Sequence, residues 1–294
     1  MLLVPRPHFD WQLRTHSLGL GERTLLAGIV NVTPDSFSDG GHYLVLEQAI
    51  AHALQLLEDG ADILDIGGES TRPGVRPQLS AQEELDRVLP VIQAVLRHQP
   101  GTVLSIDTYK AVTARAAIAA GAEIVNDVSG FMWDEAMART CAELRCGVVL
   151  THTRGRMADW SKLPPLAREE VVPLVLHGLQ KCLAIALEAG VPQASIMLDP
   201  GFGFGKRFQE NYPLLAHLDE LHALGYPLLT GTSRKAFLGR ALAAIYGQDP
   251  PPGQRGNATL ATVTAAALAG AHIVRVHDVK AAREAVAVAD AMRE

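Results

Sequence analysis

The segment Leu25-Leu26-Ala27-Gly28-Ile29-Val30 is a short apolar run that ends in two β-branched residues. An amphipathic stretch follows at residues 44–58, with apolar side chains three and four positions apart, and a second apolar run comes at residues 62–66. These patterns predict a strand, a helix and a second strand. Two strands joined by one helix lie parallel in a sheet, so this segment predicts a βαβ unit.

The same alternation repeats along the chain. The predicted strands cover residues 25–30, 62–66, 103–106, 123–125, 147–150, 195–198, 227–229 and 272–276. The clearest helical stretches are residues 44–58, 81–97, 167–188 and 279–292. Eight βα units in roughly 250 residues are typical of a TIM (β/α)8 barrel, an α/β fold. A doubly wound sheet is the alternative, and it is disfavoured because no G-x-G-x-x-G motif follows a strand.

An internal repeat supports this division of the chain. A glycine and an alanine precede a strand in Gly60-Ala61-Asp62-Ile63, Gly121-Ala122-Glu123-Ile124 and Gly270-Ala271-His272-Ile273. The repeat predicts helices that end at a glycine before a tight turn. We expect a single domain over residues 1–294, with a barrel at 25–294 and an N-terminal strap or hairpin at 1–24, because no Ser/Gly linker or charge run divides the chain.

Composition excludes several classes of function. The 294 residues include 26 Lys and Arg against 32 Asp and Glu, a net charge of -6, so the overall charge favours neither nucleic acid nor a membrane as a partner. Three cysteines without a C-x-x-C pair argue against a disulfide framework or a structural zinc site. The N-terminal residues lack a secretory apolar segment, and we therefore expect a soluble cytoplasmic protein.

Polar residues follow nearly every predicted strand. In a TIM barrel the C-terminal strand ends share one mouth, where the active site lies. The residues at these ends are Asn31, residues 69–72, Asp107, Asn126, Asp127, His152, Asp199, residues 233–235, Arg275 and His277. A single polar residue of this kind often caps a helix. Eight polar ends at one mouth predict a binding site.

These residues divide by chemistry into acceptors and donors. A buried carboxylate pairs with a planar N–H edge such as that of an amino-pyrimidinone, and the acceptors are Asp107, Asn126 and Asp199. Cationic donors suit a phosphate or diphosphate, and the donors are Arg72, Lys235, Arg275 and His277. Asn31 offers an amide oxygen to Mg²⁺, which joins a few protein oxygens to substrate phosphates. We expect the ligand to be a heterocycle with a phosphorylated arm.

Three loops at this mouth have distinctive compositions. Residues 33–41 and 67–78 are long and polar, and we expect them to close over a ligand. Residues 199–206 are glycine-rich and end in a lysine, but Pro200 and Arg207 stand where a P-loop needs Gly and Ser or Thr. We expect the glycines to allow close ligand approach, with Phe202 or Phe204 as an aromatic wall.

These motifs resemble the dihydropteroate synthase family, whose enzymes join a dihydropterin to 4-aminobenzoate. The resemblance spans residues 25–279 and rests on segments at 28–41, 65–74, 199–206, 233–235 and 275–278. It implies a homodimeric TIM barrel that uses Mg²⁺. The implied reaction condenses 6-hydroxymethyl-7,8-dihydropterin diphosphate with 4-aminobenzoate by dissociative substitution, giving 7,8-dihydropteroate and diphosphate. Sulfonamides, which mimic 4-aminobenzoate, are implied competitors.

The resemblance also implies roles for individual residues. The pterin would be held by Asp107, Asn126, Asp199 and Lys235. The 4-aminobenzoate site would be lined by Thr71, Pro73, Phe204, Ser233 and Lys235. Diphosphate would be bound by Asn31, Thr71, Arg72, Arg275 and His277, with Asn31 also a metal ligand. Catalytic roles would fall to Asp39, Asp107, Asp199 and Lys235.

The chain departs from the family pattern after the fifth predicted strand. Thr151 and Thr153 replace two methionines on either side of His152, and residues 156–166 are also unlike the common pattern, so we make no prediction for them. Two alternative functions are a corrinoid-linked methyltetrahydrofolate methyltransferase and a non-catalytic pterin-binding paralogue. The loop at 31–41 and the segment at 233–235 disfavour the first alternative, and the retained anion-binding residues disfavour the second.

Overall fold

The computed structural model describes residues 5–33, 42–70 and 79–293. Within these ranges the strands are β1 (Phe9–Gln12), β2 (Ser17–Leu20), β3 (Leu25–Asn31), β4 (Ile63–Gly67), β5 (Val103–Asp107), β6 (Ile124–Asp127), β7 (Gly147–Thr151), β8 (Ile196–Asp199), β9 (Leu229–Thr230) and β10 (Ile273–Val276). The α-helices are α1 (His42–Glu58), α2 (Ala81–His98), α3 (Ala111–Ala119), α4 (Met137–Leu144), α5 (Val171–Glu188), α6 (Asn211–Ala216), α7 (Ala236–Tyr246), α8 (Gly256–Leu268) and α9 (Val279–Ala291).

Strands β3 to β10 form one parallel sheet, in the order β8-β7-β6-β5-β4-β3-β10-β9. Its two ends meet at a parallel bridge between Leu198 and Leu228. The Leu198 amide also donates to the Pro227 carbonyl at 2.9 Å. These contacts close the sheet into a barrel with helices around it, so the TIM-barrel prediction is confirmed and the doubly wound alternative is wrong.

The element boundaries agree with the sequence pattern except at two prolines. The seventh strand was expected at residues 227–229 and is Leu229–Thr230 instead, because Pro227 lacks the N–H that a ladder needs. The predicted helix at 167–188 begins at Val171, after a 3-10 turn at Arg168–Glu170. Pro173 lies in the first turn of that helix, where its missing N–H costs nothing.

The glycine-alanine repeat is a helix-ending motif, as predicted. Gly60, Gly121 and Gly270 have φ values of +101°, +112° and +94°. At the first of them, the Gly60 amide donates to the Leu57 carbonyl and the Ala61 amide to the Leu56 carbonyl, and the other two repeat the pattern. This is the Schellman arrangement, in which a positive φ favours glycine. It turns each helix directly into the next strand.

An N-terminal hairpin closes one end of the barrel. Strands β1 and β2 pair antiparallel, and the buried Trp11 donates its indole N–H to the Ser195 carbonyl at 2.9 Å. Trp11 packs with Ile63, Ile124 and Ile273, which lie at the starts of barrel strands. The predicted hairpin is confirmed, and because it covers the N-terminal strand ends, the opposite mouth is left for a ligand.

One helical stretch in the described ranges, Arg168–Glu188, has the length and apolar composition of a membrane span. Its residues Val175, Leu179 and Leu183 are buried in the main hydrophobic core around the barrel. A helix that packs on a parallel sheet needs such an apolar face. The apolar composition of this helix is therefore accounted for by its place in the barrel.

Candidate active site

The C-terminal strand ends bring the expected acceptors together at one rim. Strand register places Asn31 beside Gly67, Gly67 beside Asp107, and Asp107 beside Asn126. Thr151, at the end of β7, pairs in the same way with Asp199 at the end of β8. Because the strands are parallel, these residues all lie on the mouth opposite the hairpin.

A network of ion pairs forms the floor of this mouth. The Arg275 guanidinium lies between two carboxylates, with its Nε 2.5 Å from Asp65 Oδ2 and its Nη2 2.6 Å from Asp107 Oδ2. Asn126 Nδ2 donates to the same Asp65 oxygen at 3.0 Å. Burial acts to lower the pKa of Arg275, but Asp65 and Asp107 raise it more, so the net shift is upward and the guanidinium stays charged.

Asp65 is the site residue that the sequence analysis missed. It lies within β4, opposite Ile29 and Ser105 on the neighbouring strands, and its side chain is 3% exposed. A carboxylate inside an otherwise apolar strand was the available signal, because a buried charge needs a partner. The partner, Arg275, is distant in the sequence.

Two carboxylates that face the mouth, one partly exposed and one buried, have raised pKa values. Burial raises the pKa of Asp107 to about 7, against the opposing charge of Arg275. Burial also raises the pKa of Asp199, against the opposing charge of Lys235. Asp199 Oδ1 accepts a hydrogen bond from the Gly201 amide at 2.7 Å, which fixes the orientation of the carboxylate. Both groups are placed to accept N–H donors from a ligand.

Lys235 follows β9, the neighbour of the strand that carries Arg275, and directly precedes α7. Its ammonium donates to the Phe202 carbonyl and lies 4.2 Å from the centre of the Phe204 ring. Burial lowers the pKa of Lys235 to about 8, although Asp199 opposes this shift. The site therefore presents a cation against an aromatic face.

The glycine-rich loop at residues 199–206 folds around its own lysine. Lys206 Nζ donates to the Gly201 carbonyl at 2.7 Å and to the His152 carbonyl at 3.4 Å. Burial lowers the pKa of Lys206 well below its ordinary value. Gly201 has a φ of +68°, and a Cβ there would lie 2.0 Å from the His152 carbonyl oxygen. Lys206 supports the loop, which agrees with the absence of a P-loop motif.

Ser233 and His277 form a pair at the rim. Ser233 Oγ is 2.9 Å from His277 Nδ1 and accepts a hydrogen bond from the His277 amide at 3.3 Å. The two residues follow β9 and β10, which are neighbours in the sheet. The resemblance assigns them to different ligands, and the structure brings them into one cluster near Arg275.

Comparisons with known proteins agree with this geometry. The family described as "Pterin binding enzyme" matches residues 27–277. A dihydropteroate synthase of Bacillus subtilis (strain 168) is 44% identical over 276 residues, which are 94% of this chain and 91% of the relative. This chain belongs to the dihydropteroate synthase family.

Solved structures of the dihydropteroate synthase family share the fold. The Xanthomonas albilineans enzyme with 4-aminobenzoic acid has a TM-score of 0.86, with 42% identity and 98% of each chain covered. The Yersinia pestis enzyme with a sulfonamide drug complex also has a TM-score of 0.86, with 40% identity and 98% and 99% of the two chains covered. Members of this family are transferases, so the chain is a transferase. The methyltransferase alternative loses support.

Two polar strand ends have structural roles in this member of the dihydropteroate synthase family. His152 is 4% exposed and packs so closely on α5 that a Cβ at Gly178 would lie 2.3 Å from its ring. Burial lowers the pKa of His152 well below its ordinary value, so the ring is neutral. Asp127 accepts hydrogen bonds from the Ser129 and Phe131 amides and shapes the turn after β6. These two strand ends are therefore explained by packing against α5 and by formation of a turn.

Several residues that the dihydropteroate synthase resemblance assigns to the site lie outside the described ranges. These are Asp39, Thr71, Arg72 and Pro73. Closure of the loops at 33–41 and 67–78 therefore stays a prediction. Just before residue 71, Glu69 pairs with Lys110, which also lies 3.0 Å from the buried Glu84. Tyr109 donates to Glu69 at 3.2 Å. This cluster anchors residue 69 at the mouth.

Proposed function

We propose that this protein condenses 6-hydroxymethyl-7,8-dihydropterin diphosphate with 4-aminobenzoate, giving 7,8-dihydropteroate and diphosphate in folate biosynthesis. The observation that carries the proposal is that the acceptors Asp107 and Asp199 share one mouth with the cations Arg275 and Lys235. A pterin offers a planar N–H edge to carboxylates, and its diphosphate arm needs cations. The family's structures with 4-aminobenzoic acid and with 7,8-dihydropteroate support the same substrates.

The pterin half of the site is assigned to Asp107, Asn126, Asp199 and Lys235. The amide of Asn126 is already oriented, because its Nδ2 donates to Asp65 and its oxygen can face a ligand. Asp107 and Asp199 supply carboxylate acceptors for the N–H edge. The burial of Asp199 limits competing water, which strengthens such bonds.

The diphosphate half is assigned to Asn31, Arg275 and His277, together with Thr71 and Arg72 from outside the described ranges. A guanidinium has five N–H donors, and the bonds to Asp65 and Asp107 use two of them. Arg275 can therefore bind phosphate oxygens while it remains anchored. His277, held by Ser233, comes two residues after Arg275, directly after β10.

The second substrate, 4-aminobenzoate, is assigned to Phe204, Ser233 and Lys235, with Thr71 and Pro73 from outside the described ranges. The Phe204 ring, with the Lys235 ammonium 4.2 Å from its centre, supplies an aromatic wall beside a positive charge. A benzoate has both an aromatic face and a carboxylate, which fit this pair. Sulfonamides would compete for the same place.

The reaction follows a dissociative course. The aromatic amine is neutral at physiological pH and needs no strong base, so departure of diphosphate is the difficult step. The bond from the pterin methylene carbon to the diphosphate oxygen breaks with its electron pair on oxygen, where Arg275 and His277 stabilise the charge. Asp107 and Asp199 stabilise the cation left on the pterin. The amine nitrogen then bonds to the methylene carbon and releases a proton to solvent.

We include Mg²⁺ as the cofactor and Asn31 as its protein ligand. Asn31 ends β3 at the rim and is partly exposed. The described residues contain no group of three or more His, Cys, Asp or Glu that could hold a metal alone. A lone amide oxygen fits Mg²⁺, which keeps waters and takes oxygens from substrate phosphates. When bound, the ion offsets charge on the departing diphosphate.

The Mg²⁺ assignment predicts a shift in metal dependence. Asn31→Ala should raise the Mg²⁺ concentration that gives half-maximal activity, and chelation should abolish activity in both proteins. An unchanged Mg²⁺ dependence in this variant would remove Asn31 from the metal site.

We also propose that the protein is a homodimer. Ile245 and Tyr246, at the end of α7, are 74% and 61% exposed. Adjacent exposed apolar side chains favour coverage by a partner. Sedimentation should give a dimer for the wild-type protein and a monomer for Ile245→Glu. A monomeric wild-type protein would contradict this assignment.

A cytoplasmic location is the final part of the proposal. Cys141, Cys146 and Cys182 are buried free thiols, which suit a reducing compartment. Cell fractionation with an antibody against the protein should recover it with cytoplasmic markers, and recovery with membranes or in the medium would contradict this location.

The deciding experiment measures diphosphate release from dihydropterin diphosphate and Mg²⁺, with and without 4-aminobenzoate, while chromatography follows dihydropteroate. Dihydropteroate formed in step with diphosphate supports the proposal. Tight pterin binding without diphosphate release supports the non-catalytic paralogue instead. Asp199→Asn should lower turnover more than folding stability, and unchanged turnover would remove Asp199 from the mechanism.

A further inference from the structure

The segment at residues 153–166, which includes the residues 156–166 without a prediction from the sequence, is fastened to the glycine-rich loop. Arg154 donates to the Gly205 carbonyl at 3.2 Å and to the Pro164 carbonyl at 3.1 Å. Arg207, at the end of the glycine-rich loop, donates in the other direction to the Leu163 carbonyl at 3.0 Å. These bonds hold a segment without strands in a defined position over the loop.

Glu210 also links the same two segments. Its Oε1 accepts a hydrogen bond from the Leu166 amide at 2.8 Å, and its Oε2 accepts one from the Arg207 amide at 2.7 Å. Arg154 Nη1 lies 3.5 Å from Glu210 Oε2, and the Glu210 side chain is 1% exposed. A carboxylate so deeply buried is costly without these partners. The two segments therefore form one unit on this side of the mouth.

Trp160 is the side chain that this unit brings against the site. Its ring centre is 5.6 Å from that of Phe204, with 59° between the ring planes, and its indole N–H donates to the Gly155 carbonyl at 3.4 Å. Phe204 also has the Lys235 ammonium 4.2 Å from its ring centre. Phe204 thus contacts an aromatic ring and a cation, and its orientation depends on both.

The approach of Trp160 depends on a glycine. Gly205 has a φ of +69°, and a Cβ there would lie 3.0 Å from Trp160 Cδ1 and 2.7 Å from Arg154 Cβ. The backbone next to Phe204 is therefore shaped to accept the indole. The close packing of Trp160 on this loop therefore requires glycine at position 205.

We propose that Trp160 is a positioning residue that fixes the Phe204 ring against Lys235 and thereby sets the affinity for the aromatic amine substrate. The inference rests on the proposed function, because Phe204 matters here as a wall of the 4-aminobenzoate site. Trp160 itself does not touch the reacting atoms. It acts mainly on the second substrate, because Phe204 is assigned to that substrate alone, whereas the pterin is held in addition by Asp107 and Asn126 on other strands.

The first test compares the kinetics of Trp160→Ala, Trp160→Phe and the wild-type enzyme. An aromatic pair contributes enough to change an equilibrium about threefold to tenfold, so Trp160→Ala should raise the KM for 4-aminobenzoate by that factor. The KM for dihydropterin diphosphate should rise by a smaller factor, because Asp107 and Asn126 also hold that substrate. Trp160→Phe should restore most of the loss, because it keeps an aromatic ring.

Phe9→Ala is the control. Phe9 also packs on an aromatic side chain, with its ring centre 5.3 Å from that of His272, but it lies in the hairpin at the opposite end of the barrel. It should leave the KM for 4-aminobenzoate unchanged. An equal rise in both KM values for Trp160→Ala, or an equal effect of Phe9→Ala, would overturn the proposal.

A second readout is independent of catalysis. In protein labelled with 5-fluorotryptophan, the ¹⁹F resonance that disappears in Trp160→Phe belongs to Trp160, and 4-aminobenzoate added with inorganic diphosphate and Mg²⁺ should shift it. The resonance of Trp11, at the other end of the barrel, should stay in place. A Trp160 resonance that does not respond would overturn the proposal. A wild-type protein that forms no dihydropteroate would overturn the proposed function, and this inference with it.

Discussion

Arg275 and Asp65 form an ion pair in which the guanidinium Nε lies 2.5 Å from the carboxylate Oδ2. The same carboxylate oxygen accepts from Asn126, and the other end of the guanidinium meets Asp107. One buried carboxylate therefore orients groups in both the pterin half and the diphosphate half of the site. Removing the charge of Asp65 should therefore disturb the positions of both Asn126 and Arg275.

Asp65→Asn should lower kcat/KM for dihydropterin diphosphate by roughly tenfold to a hundredfold, because displacement of a binding group by about 1 Å has effects of that size. The KM for 4-aminobenzoate should not change. Steady-state kinetics with each substrate varied in turn makes the measurement. The control is Asp127→Asn, a buried carboxylate whose bonds go to the turn after β6. It should lower the melting temperature and leave kcat/KM intact, and equal losses in both variants would contradict the assignment.

Asp107 should make folding stability depend on pH in the absence of ligand. Its pKa is about 7 in the folded protein and 3.8 ordinarily, so the folded state binds the proton more tightly. The free energy of unfolding should therefore fall as pH rises from about 4 to 7, and then level off. Denaturant titrations of wild-type protein and Asp107→Asn isolate this contribution, since the variant lacks it. If the free energy of unfolding depends on pH in the same way in both proteins, the raised pKa of Asp107 is refuted.

Lys235 should set an alkaline limit to activity. Its pKa is lowered to about 8 by burial, so the ammonium loses its charge as pH rises through that value. We expect kcat/KM to decline above about pH 8, because that parameter reports groups of the free enzyme. The Lys235→Arg side chain stays charged at all accessible pH values. The kcat/KM of this variant, whatever its size, should therefore not decline above about pH 8. A decline at the same pH in the variant would show that another group causes it.

Gly201 should tolerate no side chain. Gly201→Ala places a Cβ 2.0 Å from a backbone oxygen, in addition to the positive φ. Gly190 is the matched control, because it has a φ of +90° with no atom within 4 Å of the Cβ position. Gly190→Ala should cost about 1–2 kcal/mol, the penalty for a left-handed residue, and Gly201→Ala should cost clearly more. Urea unfolding of both variants makes the comparison, and equal losses would show that the His152 contact is unimportant.

Much of the fold could be predicted because the pattern that encodes it is local. Each strand is an apolar run and each helix has its own periodicity, so the eight βα units were visible in the sequence. Parallel strands then place Asp107, Asn126 and Asp199 at one mouth without further information. The exceptions near Pro227 and Pro173 arise where one residue alters backbone hydrogen bonding.

The parts of the site that could not be predicted depend on contacts between distant segments. Asp65 stands out as a carboxylate in an apolar strand, but its partner Arg275 lies 210 positions away in the sequence and cannot be identified from the pattern. His152 looks like a rim residue until α5 covers it. The position of Trp160 depends on arginine-to-carbonyl bonds between two loops, and backbone carbonyls leave no trace in a sequence pattern.

The seam between β8 and β9 has a consequence for how this barrel opens. The bridge between Leu198 and Leu228 is short compared with the ladders between other neighbouring strands in the described ranges. Asp199 is the last residue of the strand on one side of this seam, and Lys235 follows the strand on the other side. A substrate held by both residues therefore links the two neighbouring strands that share the shortest pairing in the described ranges. Amide hydrogen exchange at Leu198 and Leu229 should therefore slow when the site fills, so that substrate binding and barrel integrity reinforce each other.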